Sequence, residues 1–456
     1  MARDQIDMTP LQSRDELIAW LEAGVKQKSE FRIGTEHEKT PFTLQGHNPV
    51  PYEGERGIRA VLEGMQLLLG WEPIMENGNI IGLYDVTGGG AISLEPGGQF
   101  ELSGAPVETV HQTMSELMAH LAQVREVATP LGIGFLGLGM TPSWSREQIP
   151  VMPKGRYKIM TRYMPKVGKY GLDMMYRTCT VQTNLDFCSE ADMVKKLRVS
   201  LALQPVATAL FANSPFTEGK PNGFLSFRSE IWRDTDNARA GMLPWAFEDG
   251  MGFERWVDYA LDVPMYFVKR GDDYIDVAGS SFRDFFDGRN KMIPGEKPTL
   301  SDWANHLSTI FPEVRLKRYL EMRGSDNVPW QQLPSLSAFW VGLLYDDDSL
   351  DAAWDIARRW TAHERQALRD DVPRLGFKAK IGNRYLFEVA KDCMVLAHKG
   401  LARRARFDAL GRDETRYLEP LDHIIESGHT PAERLLERFN GPWKGSVDPV
   451  YSEYAF

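Results

Sequence analysis

The stretch FRIGTEHEKTPF (residues 31–42) places two glutamates two positions apart in a segment that alternates like a β-strand. Successive side chains of a strand point to opposite faces, so Glu36 and Glu38 share one face, about 6.6 Å apart. Phe31 and Ile33 point to the other face. Like charges on one face repel each other unless a cation lies between them. The pattern therefore predicts either a solvated face or a face that binds a cation.

Three further segments alternate in the same way: AISLEPGGQFELSG (residues 91–104), TCTVQTNLDF (178–187) and LKRYLEMRG (316–324). Their polar faces carry Glu95, Glu101, Gln182, Asn184, Glu321 and Arg323. Short glycine turns without a crossover helix favour an antiparallel sheet. Oxygen ligands from several strands suit Mg²⁺ or Mn²⁺, and a solvated polar face is the alternative interpretation.

Composition limits the classes of function. The chain has 456 residues, of which 43% are hydrophobic, as in a globular protein with a large core. A net charge of -10 argues against nucleic acid or an anionic membrane as partner, but not against small anionic substrates. The start of the chain lacks the apolar region of a secretory signal, and no apolar run approaches the roughly 18 residues of a membrane span. We therefore expect a cytoplasmic protein.

Helical periodicity predicts helices at about residues 13–28, 54–70, 105–131 and 189–211, and mostly helix from about residue 335. Residues 152–172 are basic and rich in glycine and aromatic side chains, which predicts a loop or a mobile segment. No repeat or linker divides the chain. We therefore predict one α+β domain over residues 1–456 with a helical C-terminal third.

Two arginines lie among aromatic residues in GFLSFRSEIWRDTD (residues 223–236). Arginine suits carboxylate and phosphate groups, which makes Arg228 and Arg233 candidates for binding an anionic substrate. No GxxxxGK[ST] phosphate loop and no Ser-His-Asp order is present. His37 and Cys179 fall on the apolar side of their strands, where a structural role is expected.

Long runs of this sequence closely resemble the plant-type glutamate–cysteine ligases, which also occur in proteobacteria. Among them are ISLEPGGQFELSGAP, LALQPVATALFANSPFTEGKPNGFLSFRSEIW and FPEVRLKRYLEMRG, and the likeness extends from about residue 31 to NGPWKGSVDPVYSEY near the C-terminus. The resemblance implies a glutamine-synthetase-like fold, a curved antiparallel sheet with helices packed on its outer face. It also implies that ATP, L-glutamate and L-cysteine form γ-glutamylcysteine, ADP and phosphate, the first step of glutathione synthesis.

The resemblance further implies roles for individual residues. The metal ligands for Mg²⁺, with Mn²⁺ as the alternative, would be Glu36, Glu38, Glu95, Glu101, Glu321 and Gln182. Arg323 would contact the ATP phosphates, and Arg228 would contact the substrate glutamate or the transferring phosphate. Arg233 and Asn184 complete the expected substrate-binding residues. We expect a monomer or a homodimer.

Cysteine usage departs from the plant pattern. Met292 and Pro334 stand near the positions where some plant members carry a regulatory cysteine pair, so we expect that switch to be absent. Cys179 alone falls at a family position, and we predict no disulfide with Cys188 or Cys393. The plastid transit peptide of plant members is also missing, which favours a bacterial cytoplasm.

Two other functions stay open on the sequence. One is a γ-glutamyl ligase of the same fold that uses another amine acceptor. The other is a non-catalytic protein that kept the fold and binds only a metal or a nucleotide.

Overall fold

The computed structural model describes residues 7–456. The strands in chain order are β1 (Ile33–His37), β2 (Thr40–Thr43), β3 (Glu72–Glu76), β4 (Asn79–Tyr84), β5 (Ala91–Leu94), β6 (Phe100–Ser103), β7 (Ile133–Leu136), β8 (Thr180–Leu185), β9 (Phe216–Thr217), β10 (Lys220–Pro221), β11 (Ala240–Gly241), β12 (Phe267–Arg270), β13 (Asp273–Asp276), β14 (Phe311–Pro312), β15 (Val314–Leu316), β16 (Leu320–Asp326), β17 (Lys380–Ile381) and β18 (Arg384–Tyr385). The helices are α1 (Arg14–Glu22), α2 (Ile58–Leu69), α3 (Val110–Ala128), α4 (Gly155–Tyr163), α5 (Gly171–Arg177), α6 (Glu190–Leu210), α7 (Phe227–Ile231), α8 (Phe253–Asp262), α9 (Phe282–Phe286), α10 (Leu300–Ser308), α11 (Leu333–Leu344), α12 (Asp347–Ala357), α13 (Ala362–Leu375), α14 (Leu386–Arg404), α15 (Glu419–Ser427), α16 (Pro431–Asn440) and α17 (Val450–Glu453).

The main sheet is antiparallel throughout, with the strand order β15-β16-β8-β1-β6-β5-β4-β3. β4, β5 and β6 are neighbours both in the chain and in the sheet, so the antiparallel arrangement predicted from the glycine turns is confirmed, and β3 extends it by one strand that was not predicted. β1 lies in the middle, where Glu36 is paired with Gln182 of β8 on one side and with Ser103 of β6 on the other. The sheet thus brings together the four alternating segments, which lie far apart in the sequence.

Helices cover one face of this sheet. α6 packs on β16, α11 on β8 and β1, α3 on β1 and α2 on β4. The apolar residues of the strands, such as Ile92, Phe100 and Leu320, are buried beneath these helices as predicted. Because alternation sends every second side chain to the other face, the polar residues of the same strands point away from the helices.

The segment from residue 31 to 44 is not one strand, as the sequence predicted, but two. β1 belongs to the main sheet, whereas β2 pairs with β7 in a separate two-stranded sheet. Pro41 explains the change, because proline has no N–H to donate and cannot continue a central strand.

The prediction of a loop over residues 152–172 is wrong. The segment contains α4, a short 3₁₀ turn over Met164–Lys166 and the start of α5. Tyr157, Met160 and Met164 are buried at helical spacing. Four lysines and three glycines between residues 152 and 172 obscured this period in the sequence.

The region after Leu333 is mostly helical, as expected, and its first helix supports the main sheet. α11 lies between the sheet and α14. A methyl group on Gly400 would overlap the carbonyl oxygen of Gly342, so the two helices approach as closely as glycine allows. The assignment of residues 1–456 to one domain stays a prediction. In residues 7–456 no helix is long and apolar enough to span a bilayer.

Candidate active site

The polar face of the main sheet forms the floor of a cleft with a volume of about 370 Å³. Glu36 comes from β1, Glu38 directly follows that strand, Glu101 comes from β6 and Gln182 from β8. Glu95 follows β5 and joins them at the same floor. Four of the predicted glutamates therefore meet in one cleft.

Glu36 is buried at the centre of the floor. Its Oε1 accepts a hydrogen bond of 2.9 Å from Asn184 Nδ2. Burial raises the pKa of the Glu36 carboxyl above its ordinary value, and the negative charges of Glu321 and Glu101 raise it further. A carboxylate in this position is stabilised by an added cation.

The carboxyl groups of Glu38 and Glu101, like that of Glu36, have pKa values raised by burial and by neighbouring negative charges. Burial raises the pKa of Glu38 well above its usual range, helped by the charges of Glu95 and Glu101. The pKa of Glu101 is also raised, first by burial and then by Glu95. Each keeps one short hydrogen bond, from the Thr180 backbone N–H to Glu38 (2.9 Å) and from Ser93 Oγ to Glu101 (2.8 Å).

Glu321 has different surroundings. It is fully buried behind the cleft lining, and its carboxylate contacts the side chains of Arg315, Lys317 and Arg323. Burial alone would raise its pKa, but these three cations hold the pKa of Glu321 well below its usual range. The sequence predicted one strand over residues 316–324, whereas a turn between β15 and β16 places Arg315 directly opposite Glu321. Glu321 is therefore already neutralised by protein cations.

Arg323 reaches from β16 across the floor to β8. Its Nη1 donates to Gln182 Oε1 at 2.8 Å and also contacts Glu321. Arg315, Lys317 and Arg323 all line one end of the cleft. This cationic end lies beside the acidic floor, an arrangement that suits a polyanion bridged to metal ions.

Arg228 is the second predicted arginine in the cleft, and it is 2% exposed. Its Nη2 donates to the Arg323 carbonyl oxygen at 3.0 Å. The other two groups, Nε and Nη1, are buried and have no hydrogen-bond partner among residues 7–456. Unpaired buried donors of a guanidinium are costly unless a ligand accepts from them.

Besides Glu321, two predicted residues do not reach the cleft lining. Arg233 is exposed, and its guanidinium pairs with Glu230 (2.8 Å) and Asp370 (2.9 Å). Five positions along a helical segment turn the chain by about 140°, so Arg228 and Arg233 point in different directions. Asn184 instead positions Glu36 through the hydrogen bond described above. The structure thus gives no support for substrate contact by either residue.

The wall that faces the floor was not predicted from the sequence. α4 and the hairpin β12–β13 contribute Lys154, Tyr157, Lys269 and Tyr274 to the cleft. Lys154 Nζ donates to the Leu94 carbonyl at 3.0 Å, directly before Glu95. Helical spacing in residues 155–163 was the signal that could have identified this wall.

The acidic floor offers carboxylate oxygens, the donor type that Mg²⁺ and Mn²⁺ prefer. No three His, Cys, Asp or Glu side chains within the described residues converge closely enough to hold one ion by themselves. Burial and neighbouring carboxylates raise the pKa values of Glu36, Glu38 and Glu101, so a hard cation that also takes ligands from substrate and water would stabilise this floor. Glu36, Glu38, Glu95 and Glu101 are the candidate ligands.

The three cysteines are free thiols in the structure. Cys179 is buried and lies 3.1 Å from Thr40 Oγ1, and burial raises its pKa well above the usual range. The pKa of the buried Cys393 is raised to about 12. A raised pKa disfavours the reactive thiolate, so neither buried thiol is activated.

Known proteins place the chain in a family. The model of glutamate-cysteine ligase family 2 (GCS2) matches residues 32–453. The chloroplastic glutamate–cysteine ligase of Nicotiana tabacum is 58% identical over 444 residues, which cover 97% of this chain and 83% of that protein. Glutamate–cysteine ligase B of Oryza sativa subsp. japonica, also chloroplastic, is 55% identical over 99% of this chain and 89% of its own length.

A solved structure shows the same fold. The glutamate–cysteine ligase of Francisella tularensis in complex with AMP superimposes with a TM-score of 0.57 at 13% identity, covering 93% of this chain and 89% of that one. The expected glutamine-synthetase-like fold class is thereby confirmed.

The comparisons overturn one expectation and confirm another. The predicted cytoplasmic location is wrong by this comparison, because these curated relatives are named as chloroplastic enzymes. The expected family is confirmed by the match over residues 32–453 and by more than half of the residues being identical to the plant enzymes. The chain belongs to glutamate-cysteine ligase family 2.

Proposed function

We propose that this chain is an ATP-dependent ligase that joins the γ-carboxylate of L-glutamate to the amine of L-cysteine. Membership of the family over residues 32–453 supports this activity. The single structural observation that carries it is the cleft, in which an acidic floor lies beside a cationic end. Such a site suits a nucleoside triphosphate together with an amino-acid substrate.

The reaction has two steps. A γ-carboxylate oxygen of glutamate attacks the γ-phosphorus of ATP, the bond to ADP breaks and γ-glutamyl phosphate forms. The amine of cysteine then attacks the acyl carbon, phosphate leaves and the nitrogen loses a proton. Both steps depend on holding anionic groups together in the correct orientation.

The residues of the cleft divide between these tasks. Arg323, with Arg315 and Lys317, contacts the phosphates of ATP. Arg228 donates from its unpaired Nε and Nη1 atoms to a substrate carboxylate or to the transferring phosphate. These cations offset the charge that gathers when two anions react, which lowers the barrier by electrostatic stabilisation.

Glu36, Glu38, Glu95 and Glu101 are the proposed ligands for Mg²⁺, with Mn²⁺ as the alternative. A bound ion supplies positive charge between the floor and the phosphates. Gln182 and Glu321 complete the proposed set. Glu321 must first release at least one of Arg315, Lys317 and Arg323, because all three contact its carboxylate. Assembly as a monomer or a homodimer also stays a prediction.

The activity is tested by measuring phosphate release with ATP, Mg²⁺ and L-glutamate while one amine acceptor is added at a time. We expect L-cysteine to stimulate release, with γ-glutamylcysteine identified by mass spectrometry. Stronger stimulation by another amine would show that this amine, and not L-cysteine, is the acceptor. No turnover with any acceptor would leave a protein that only binds metal or nucleotide.

The metal assignment is tested by Glu38→Gln, which removes one charge from the floor and keeps the shape of the side chain. We expect kcat to fall at least about 100-fold while the melting temperature stays within a few degrees of wild type. Glu63→Gln on the exposed side of α2 is the matched control. Near-normal activity of Glu38→Gln across a Mg²⁺ titration would remove Glu38 from the metal site.

A further inference from the structure

Asp326 at the end of β16 is a buried carboxylate that the proposed chemistry does not use. It is 1% exposed, and three donors surround it. The Asn213 N–H (2.8 Å) and Ser214 Oγ (2.6 Å) donate to one oxygen, and Ser226 Oγ (2.7 Å) donates to the other. A fully paired buried carboxylate is held rigidly, because each broken bond would leave a buried charge unsatisfied.

Ser214 and Ser226 connect Asp326 by hydrogen bonds to the backbone of α7. Ser214 Oγ accepts from the N–H of Arg228 at 3.1 Å, and Ser226 Oγ accepts from the N–H of Ser229 at 3.1 Å. Ser226 is also the N-cap residue of this five-residue helix. So short a helix has little stability of its own, so its position depends on such anchors.

β16 also holds the guanidinium of the same arginine. Arg228 Nη2 donates to the Arg323 carbonyl, three residues before Asp326 on that strand. Backbone and side chain of Arg228 are therefore fixed by one strand, and this leaves Nε and Nη1 unpaired at the cleft. Burial lowers the pKa of Arg228, and the charge of Asp326 is the largest of the effects that oppose this.

The absence of a side chain at Gly139 leaves room for the Asp326 carboxylate. A Cβ atom on Gly139 would lie 2.5 Å from Asp326 Cβ and Cγ, closer than real contacts allow. The Gly139 N–H in turn donates to the Asn213 carbonyl at 3.1 Å. A glycine that must stay small at this point indicates a tightly packed network rather than a chance approach.

We propose that Asp326 is a positioning residue that acts through Ser214 and Ser226 to hold Arg228, so that the unpaired Nε and Nη1 atoms of Arg228 meet an anionic oxygen of the substrate. This inference rests on the proposed function, because Arg228 is taken to contact a substrate of the ligase. Asp326 itself touches neither substrate nor metal ligand.

The test is a double-mutant cycle of Asp326→Asn and Arg228→Lys, with KM measured separately for ATP, L-glutamate and L-cysteine. We expect Asp326→Asn to raise, by about tenfold, the same KM that Arg228→Lys raises. In the Arg228→Lys background this effect should shrink to about twofold or less, since no guanidinium remains to be positioned. Ser214→Ala, which removes a single link, should show the same substrate selectivity more weakly.

Glu414→Gln is the matched control. Glu414 is another fully buried carboxylate, and it accepts from the Val110 N–H at the start of α3, outside the cleft lining. This variant should lower stability without changing any KM selectively. Unchanged KM values in both Asp326→Asn and Ser214→Ala, or an equal effect of Asp326→Asn in both backgrounds, would overturn the proposal.

The ligase activity and the positioning role of Asp326 can be refuted independently of each other. If the wild type forms no γ-glutamylcysteine, the proposed function fails. The same four proteins of the cycle are then titrated with ATP and with L-glutamate by calorimetry. Selective, non-additive loss of affinity for one of these ligands would still support a positioning role for Asp326, and additive losses would refute it.

Discussion

Glu101 has a buried carboxylate in a place where protein contacts alone do not offset its charge. Burial and Glu95 raise its pKa, and Ser93 and Ser103 supply the hydrogen bonds that it receives. A folded-state pKa above the unfolded value means that the ionised group destabilises the ligand-free protein as pH rises. The residue is therefore retained at a cost in stability, as is typical of functional sites.

Glu101→Gln should thus separate stability from activity. At pH 8 and without ligands we expect the free energy of unfolding to rise by about 1 kcal/mol, because the buried charge is gone. Activity should fall sharply, since Glu101 is a proposed metal ligand. Urea unfolding and the product assay measure the two effects. A variant that is less stable than wild type would show that the charge is already compensated in the ligand-free protein.

At the scale of elements, α4 forms one wall of the cleft, and its position sets the distance between this wall and the floor. The Glu76 carboxylate of β3 accepts from the N–H of Gly155, the first residue of α4. A Cβ atom on Gly155 would lie 2.9 Å from the Tyr274 ring and 3.0 Å from Glu76 Oε1. The helix therefore sits as close to β3 and β13 as a glycine allows, and it carries Lys154 at its N-cap towards the floor.

Gly155→Ala should move this wall. We expect kcat/KM to fall about tenfold, because small displacements of substrate-positioning groups are expensive. The free energy of unfolding should drop by no more than about 1–3 kcal/mol. Steady-state kinetics and urea unfolding measure both quantities.

Gly90→Ala is the control for this substitution, because its Cβ atom would meet no atom closer than 3.6 Å. Wild-type kinetics in Gly155→Ala would show that catalysis does not depend on the position of α4.

For the whole molecule, buried histidines link stability to pH. Burial lowers the pKa of His306 to about 3, and its Nε2 donates to the Ala260 carbonyl at 2.7 Å. The pKa values of His37 and His120 are also well below the ordinary value because of burial. Below about pH 6.5 these histidines take up protons in the unfolded chain but not in the folded one, so stability is lost as pH falls.

His306→Gln should therefore make the pH dependence of unfolding shallower. Between pH 4 and 5.5 we expect the slope to decrease by about 1.4 kcal/mol per pH unit, the contribution of one proton. The raised pKa values of Glu36, Glu38 and Glu101 act in the opposite direction, so the difference between variants is the quantity to measure.

Several features of the site were predictable because they are local. The alternation of side chains along a strand depends only on the backbone, so Glu36, Glu38 and Glu101 were correctly placed on one face. The covered face was predictable for the same reason. The sequence predicted substrate contact for both Arg228 and Arg233, because the chain near them shows no period and only packing decides which side chain faces the cleft.

The sequence by itself determined the strand faces, the glycine turns between β4, β5 and β6 and, through its long matching runs, the family. Tertiary structure alone decided that β1 lies between β8 and β6, that three cations surround Glu321, and that Ser214 links Asp326 to the backbone of Arg228. The physical reason is separation along the chain. Residues 36, 182 and 326 become neighbours only when distant strands pair, and no local period encodes that pairing.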